Sequence, residues 1–116
     1  IDLISLDRVA ALHAKQNAEP KKRHLILLDA RSDQRYTAGH IAGAEHLQIS
    51  DVNTDLGRDP RIESYDNIVV YADNPGSASS RALTKRLLRI RYDDVYMFPG
   101  GLDAWVRAGL PTESGE

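Results

Sequence analysis

The residues best placed to do chemistry follow the apolar run "NIVVYA". Ala72, Asp73, Asn74, Pro75, Gly76, Ser77, Ala78 and Ser79 form a short stretch of small, turn-forming and hydroxyl residues between a strand and a helix. A turn through Pro75 and Gly76 that closes on a helix N-terminus aims several backbone N–H groups into one concavity, and the helix dipole adds partial positive charge there. Such a loop is a cradle in outline for a small anion such as sulfate or phosphate. Any strand-to-helix connection also needs small residues and a serine cap, so a purely structural reading stands beside that one. Asp73 offers a carboxylate for proton or phosphoryl transfer, yet no metal site or partner base accompanies it. Two more segments belong to the same region, Asp29 to Arg31 and Pro99 to Gly101 with Gly100 between, because open parallel sheets build sites outside the carboxyl ends of their strands. His40 and His46 lack a third ligand and a zinc-type spacing, so neither a metal nor a cofactor is expected.

The bulk numbers narrow the setting for that loop. A chain of 116 residues is long enough to bury one core and too short for two, so residues 1–116 are expected to be a single domain. Its 41% hydrophobic and 28% charged residues are ordinary globular usage, which excludes disordered and fibrous classes. A net charge of -2 with no long block of one sign argues against a nucleic-acid footprint. The basic run Lys21, Lys22, Arg23 and His24 reads as a solvated turn. With no cysteine there is no disulfide, no thiolate nucleophile and no cysteine-based metal site. No apolar run reaches the roughly 20 residues of a membrane span, and the first residues lack the pattern of a signal peptide. Beginning at Ile1, the chain is expected to be a processed form or a domain of a longer protein. A removed targeting segment therefore stays open, with the cytoplasm the default compartment.

The elements that must position the loop follow from periodicity. Ser5 predicts an N-cap for a helix from Leu6 with Val9 and Leu12 inward, stopped at Pro20. Leu25 to Leu28 is a continuous apolar run of strand length, as expected of a strand covered on both faces, with Asp29 at its end. Ser32 caps a short helix through Tyr36, Gly39 stops it, and "GAEHLQI" reads as a short strand. From Ser50 to Asp66 the turn-forming residues predict only a turn of helix and a surface loop. "NIVVYA" is the strongest strand, and the helix after the loop is expected to start at Ser79. On that helix Leu83, Leu87 and Ile90 face inward, with Arg81, Lys85, Arg86 and Arg89 outward. "DVYMF" gives a further strand, "LDAWVRA" a last short helix with Trp105 in the core, and Gly109 with Pro111 ends it. Tyr71 and Tyr96 are expected to pack with their hydroxyls near the surface. Alternating strands and helices of these lengths imply an α/β domain with a parallel sheet and helices on both faces.

Three segments in order resemble the rhodanese-like domain family. "LLDARSDQRYTAGHIAGA" matches its strand ending Asp-x-Arg, short helix and Gly-His-Ile turn; "IVVYA" matches its strand into the active loop; "FPGGLDAWVRAGLP" matches its closing pattern. The resemblance implies a three-layer α/β fold with a central, mainly parallel five-stranded sheet. It further implies that Asp29 and Arg31 are mainly structural, tying the strand end to neighbouring loops, and that His40 is held by hydrogen bonds in its turn. Active members carry a cysteine directly after the strand that matches "IVVY", where it accepts a sulfane sulfur and passes it to a thiophilic acceptor. By position that cysteine falls on Ala72.

A methyl group forms no persulfide, and neither Ser77 nor Ser79 offers a thiolate's nucleophilicity. Six residues separate Ala72 from Ser79, one more than the common sulfurtransferase loop of the family. That length resembles relatives of the cell-cycle phosphatase and arsenate reductase kind, whose larger loop holds a phosphate-sized oxyanion. Those relatives place an arginine near the loop's end, where this chain has Ala78. Three readings of Ala72 are consistent with the sequence. The domain is a non-catalytic binding or regulatory module, with a protein or a small anion as partner. Alternatively it is a sulfurtransferase whose cysteine at position 72 has been replaced, or a domain running other chemistry through Asp73.

Overall fold

Short apolar strands that are covered on both faces need neighbours on both sides, and the fold supplies them. In the computed structural model, which describes residues 1–116, the chain runs β1 (Asp2–Leu3), α1 (Leu6–Ala18), β2 (Ile26–Asp29), α2 (Asp33–Ala38), β3 (His40–Ile41), β4 (Glu45–His46), α3 (Pro60–Glu63), β5 (Ile68–Tyr71), α4 (Ala78–Arg89), β6 (Val95–Phe98), α5 (Gly101–Arg107) and β7 (Thr112–Glu113). Five strands make one parallel sheet in the order β1-β6-β5-β2-β4, with β5 paired to β2 and β6 over all four of its residues. β3 and β7 form a separate antiparallel pair.

Alternation along the pleat divides the interior in two. Leu25, Leu27, Val69, Tyr71 and Phe98 pack with Val9 of α1 and Trp105 of α5 on one face. Ile26, Leu28, Ile68, Val70 and Val95 pack with Ile62 of α3 and with Leu83 and Leu87 of α4 on the other. Each such side chain contributes about 1.5–3 kcal/mol on leaving water, so the sandwiched strands β2, β5 and β6 carry the fold and the two-residue strands follow them. Serine caps start the first two helices as the sequence predicts, with Ser5 accepting from Arg8 N and Ser32 from Arg35 N, both at 3.3 Å.

Several expectations need correction. α4 begins at Ala78 with Ser77 at its cap, not at Ser79, and Ser77 makes no capping bond because its hydroxyl accepts from Asn74 N inside the loop. Between Ser50 and Asp66 the chain is better organised than its composition suggests. Two single-turn 3-10 helices, at Ile49–Asp51 and Thr54–Leu56, precede α3, where Asp59 caps and Pro60 takes the first helical position that suits its missing N–H. Arg86 does not simply face outward: its guanidinium is half-buried and donates to the carbonyls of Ile49 and Val52, holding that segment to α4. The Tyr71 hydroxyl is fully buried rather than near the surface.

One glycine joins the end of the sheet to the last helix. Gly101 has φ +63°, and a Cβ there would lie 2.5 Å from the Ala72 carbonyl oxygen and 2.8 Å from the Asp73 carbonyl. That close approach lets Leu102 N donate to Ala72 O and Asp103 N to Asp73 O, both at 2.9 Å. Replacement of Gly101 by alanine combines a left-handed backbone with a clash against main chain, so Gly101→Ala should lose on the order of 2–4 kcal/mol. Thermal unfolding followed by circular dichroism checks it, with a fall in Tm of roughly ten degrees expected.

Candidate functional site

The carboxyl ends of β2 and β5 lie side by side, with Asp29 registered against Tyr71. Asp29 is wholly buried and Arg31 nearly so, and the two form a forked pair: Arg31 Nε donates to Asp29 Oδ1 at 3.0 Å and Nη2 to Oδ2 at 2.8 Å. The Arg31 backbone N–H adds a bond to Oδ1 at 2.9 Å. Nη2 also donates to the Gly39 carbonyl at the end of α2, and Nη1 reaches Asp73 Oδ1 at 3.3 Å. Burial alone would lower the Arg31 pKa, but hydrogen bonds and charge from Asp29 outweigh it and hold the group above its ordinary value. The pair ties the end of β2 to α2 and to the loop after β5, and Arg31 lines one wall of the site.

The opposite wall is the loop after β5. Ala72 is 1% exposed, its methyl packed at the base of the loop. Asp73 turns its carboxylate back to the β2 side, where Arg31 and Arg35 both hold it, Arg35 Nη1 donating to Oδ2 at 2.5 Å. Asn74 and Gly76 use each other: Asn74 Oδ1 accepts from Gly76 N at 2.9 Å, and the Asn74 carbonyl accepts from Ser77 N at 3.1 Å. The N–H groups of Asn74, Gly76 and Ser77 are therefore engaged within the loop, and Pro75 has none. Those of Ala78, Ser79 and Ser80, in the first turn of α4, have no acceptor in the protein.

Two open depressions flank the Asp73 carboxylate, of about 340 and 260 Å³, and Arg31, Arg35 and Asp73 line both. Leu102 and Gly39 complete the first; Gln48 and Ser79 help to line the second. Gly101, the first residue of α5, packs against the main chain of Ala72 and Asp73, and Gly100 before it lies beside Phe98 and Ala104. A larger depression, about 500 Å³, lies away from the loop beside α2 and is lined by Asp33, Tyr36, Thr37, Glu45, His46 and Glu116. Its acidic rim belongs to no group of carboxylates and histidines placed to hold a metal.

His40 is buried and hydrogen-bonded through both ring nitrogens. Its Nδ1 pairs with the Tyr36 carbonyl at 2.8 Å and its Nε2 with Glu113 at 3.2 Å, while its ring stacks on Tyr36 at 3.9 Å. His46 Nε2 meets the Arg31 carbonyl at 2.6 Å, so both histidines are positioning groups on the framework. A bond from Gly43 N, then the contact with His40, holds the Glu113 carboxyl below the usual range. The residue that sequence reasoning missed is Arg35. It lies on an exposed face of α2 at an unremarkable position, and only the approach of α2 to the β5 loop makes it a partner of Asp73.

A model of the rhodanese-like domain matches residues 9–108. The chain belongs to the rhodanese-like domain family. This rhodanese-like chain is 33% identical to the thiosulfate sulfurtransferase GlpE of Pseudomonas putida over 96 residues, which is 83% of this chain and 82% of that one. It is 35% identical to the thiosulfate sulfurtransferase GlpE of Actinobacillus succinogenes over 89 residues, 77% of this chain and 76% of that one. Among solved structures, the rhodanese-like domain of the Anabaena Alr3790 protein superposes with a TM-score of 0.70 at 29% identity, covering 98% of this chain and 80% of that one. A thiosulfate sulfurtransferase of Pseudomonas aeruginosa superposes with a TM-score of 0.73 at 25% identity, covering 99% of this chain and 20% of that one. The five-stranded parallel sheet and its two helical layers are those of the family, in a chain with no cysteine.

Behind the site, Ile41 N donates to the Tyr71 hydroxyl at 3.1 Å, which ties the Gly-His-Ile turn to β5. Burial, then the charge of Asp29, pushes the Tyr71 phenol well above its ordinary value. A phenol whose pKa is raised by folding contributes stability that is complete below the unfolded value of about 10 and is lost as pH rises beyond it. Tyr71→Phe leaves the buried Ile41 N–H without an acceptor and should cost about 1–3 kcal/mol at neutral pH. The same variant should lose less stability than the unsubstituted chain on going to strongly alkaline pH. Urea unfolding at neutral and alkaline pH checks both expectations.

Proposed function

We propose that this rhodanese-like domain is a non-catalytic binding module, with Ala72 at the position of the family's sulfur-carrying cysteine. The observation that carries the reading is Ala72 itself, a buried methyl at the end of β5 with no cysteine anywhere in the chain. A methyl carbon cannot lose a proton, attack sulfur or hold a persulfide. Asp73 supports the reading from the next position. Both of its carboxylate oxygens already accept charge-assisted bonds, one from Arg31 and one from Arg35, so neither is free to face a substrate. The loop from Ala72 to Ser79, with Asp29, Arg31, His40, Gly100 and Gly101 as its frame, then serves recognition of a small anion or of a protein partner.

A second reading is favoured by the relatives, two of which are named thiosulfate sulfurtransferases. Under it the loop is an intact sulfur-transfer site that lacks only its nucleophile. Thiosulfate and cyanide assayed with the chain as it stands and with Ala72→Cys separate the two. The binding-module reading expects no thiocyanate above the uncatalysed rate from either protein, because Asp73 and the self-engaged amides of Asn74, Gly76 and Ser77 leave little to stabilise a thiolate. Turnover by Ala72→Cys, with a sulfur adduct on the new thiol in mass spectrometry, would establish the second reading. Turnover by the unsubstituted chain would end the first.

A further inference from the structure

We infer that the mouth of the loop is a two-arginine oxyanion site whose resident ligand is the chain's own Asp73 carboxylate, so that a tetrahedral oxyanion binds there only by displacing it. The inference deepens the binding-module reading and rests on it. Its first support is the charge balance. Asp29 matches the charge of Arg31 through the fork, and Asp73 matches that of Arg35, which has no other acidic partner. Removing the Asp73 charge exposes one unmatched guanidinium beside a second that is locked in place. Arg31 is rigid, held by Asp29 and by the Gly39 carbonyl, whereas the Arg35 side chain is 66% exposed and free to adjust around a ligand. The fixed Nη1 of Arg31, which now meets Asp73, and the adaptable planar fork of Arg35 suit two oxygens of a sulfate or phosphate.

A second support is the backbone of Asp73. Its carbonyl is pinned by Asp103 N and its neighbour's by Leu102 N, so the loop holds its course while the side chain, 24% exposed, turns outward by rotation alone. The space it would vacate is continuous with the depression lined by Gln48 and Ser79, where the unpaired N–H groups of the first turn of α4 add partial positive charge. Two carboxylates oppose a ligand there: Asp29, whose charge is already matched by Arg31, and Asp103, whose carboxylate is held 3.4 Å from the Asn74 amide nitrogen on the α5 side. Within this geometry Asp73 acts as an autoinhibitory plug, and its release by a competing oxyanion frees a negative charge at the surface.

Calorimetric titration with sulfate and with phosphate tests the inference on the unsubstituted chain, Asp73→Asn and the double variant Asp73→Asn with Arg35→Gln. Removing the plug's charge should tighten sulfate binding about ten- to a hundred-fold. The added Arg35→Gln should return it to the level of the unsubstituted chain. Equal affinity in Asp73→Asn and the unsubstituted chain would overturn the inference, as would tight binding that survives Arg35→Gln. Should a variant not fold, the unsubstituted chain still decides. In it, high sulfate should shift the guanidinium Nε–H signals of Arg31 and Arg35 and the Asp73 amide together in NMR spectra, and their staying put would overturn the site. None of these measurements involves sulfur transfer, so a failure here leaves the non-catalytic reading standing, and turnover in the sulfur assay would be recognised separately.

Discussion

A single buried guanidinium holds the functional end of this domain together. Arg31 is fixed to Asp29 through a fork, caps the end of α2 through the Gly39 carbonyl, reaches Asp73 in the loop after β5, and offers its own carbonyl to His46 on β4. Four separate segments are thereby brought to one point at the carboxyl ends of the strands. A charge so deeply placed is tolerable only because every branch of it is matched, and removing one partner of such a pair costs far more than the pair gains over an apolar substitute. The arrangement therefore constrains position more than it adds stability.

The consequences run outward from that point. Because Asp29 and Arg31 are occupied with each other, both Asp29 carboxylate oxygens are engaged behind the loop. Because α5 gives its first N–H groups to the carbonyls of Ala72 and Asp73, the loop's main chain is fixed from behind, and Gly101 is the residue that permits the approach. The β3–β7 pair and the Tyr71 hydroxyl complete the frame by anchoring the His40 turn. What is left adjustable is small: the Asp73 carboxylate, the Arg35 side chain and the first turn of α4.

The spot where these elements converge holds the buried methyl group of Ala72, on which the proposed binding role rests. The surroundings have settled accordingly. Asn74 closes the loop on itself through its side chain and carbonyl, and Asp73 answers the two arginines from inside. In the displacement proposed above, an external anion replaces the internal Asp73 carboxylate in a cradle whose amides and cations are otherwise served by its own residues. The binding-module reading holds that such a cradle would give a thiolate little, since a carboxylate at the adjacent position disfavours a second negative charge.

Periodicity and punctuation determined the sandwiched strands at Leu25–Leu28 and Asn67–Ala72, the caps at Ser5 and Ser32, and the core role of Trp105, since each depends on residues close in the chain. The motif positions likewise put Asp29 at a strand end with Arg31 two residues on, and set the expectation that Ala72 stands at the family's nucleophile. The two-residue strands carry no periodic signal, and Pro60 looks like a breaker until Asp59 is seen capping in front of it. Tyr71 reads as a surface-tipped aromatic until the β3 turn delivers the Ile41 N–H to its hydroxyl, and Arg86 reads as a solvated cation until the 49–52 segment folds across α4. Only tertiary structure decided the Arg35 to Asp73 pairing, because the two residues are 38 apart in sequence and meet solely through the packing of α2 against the β5 loop. Local residue types select helices, strands and turns, but which charge neutralises which depends on distances that no local rule contains.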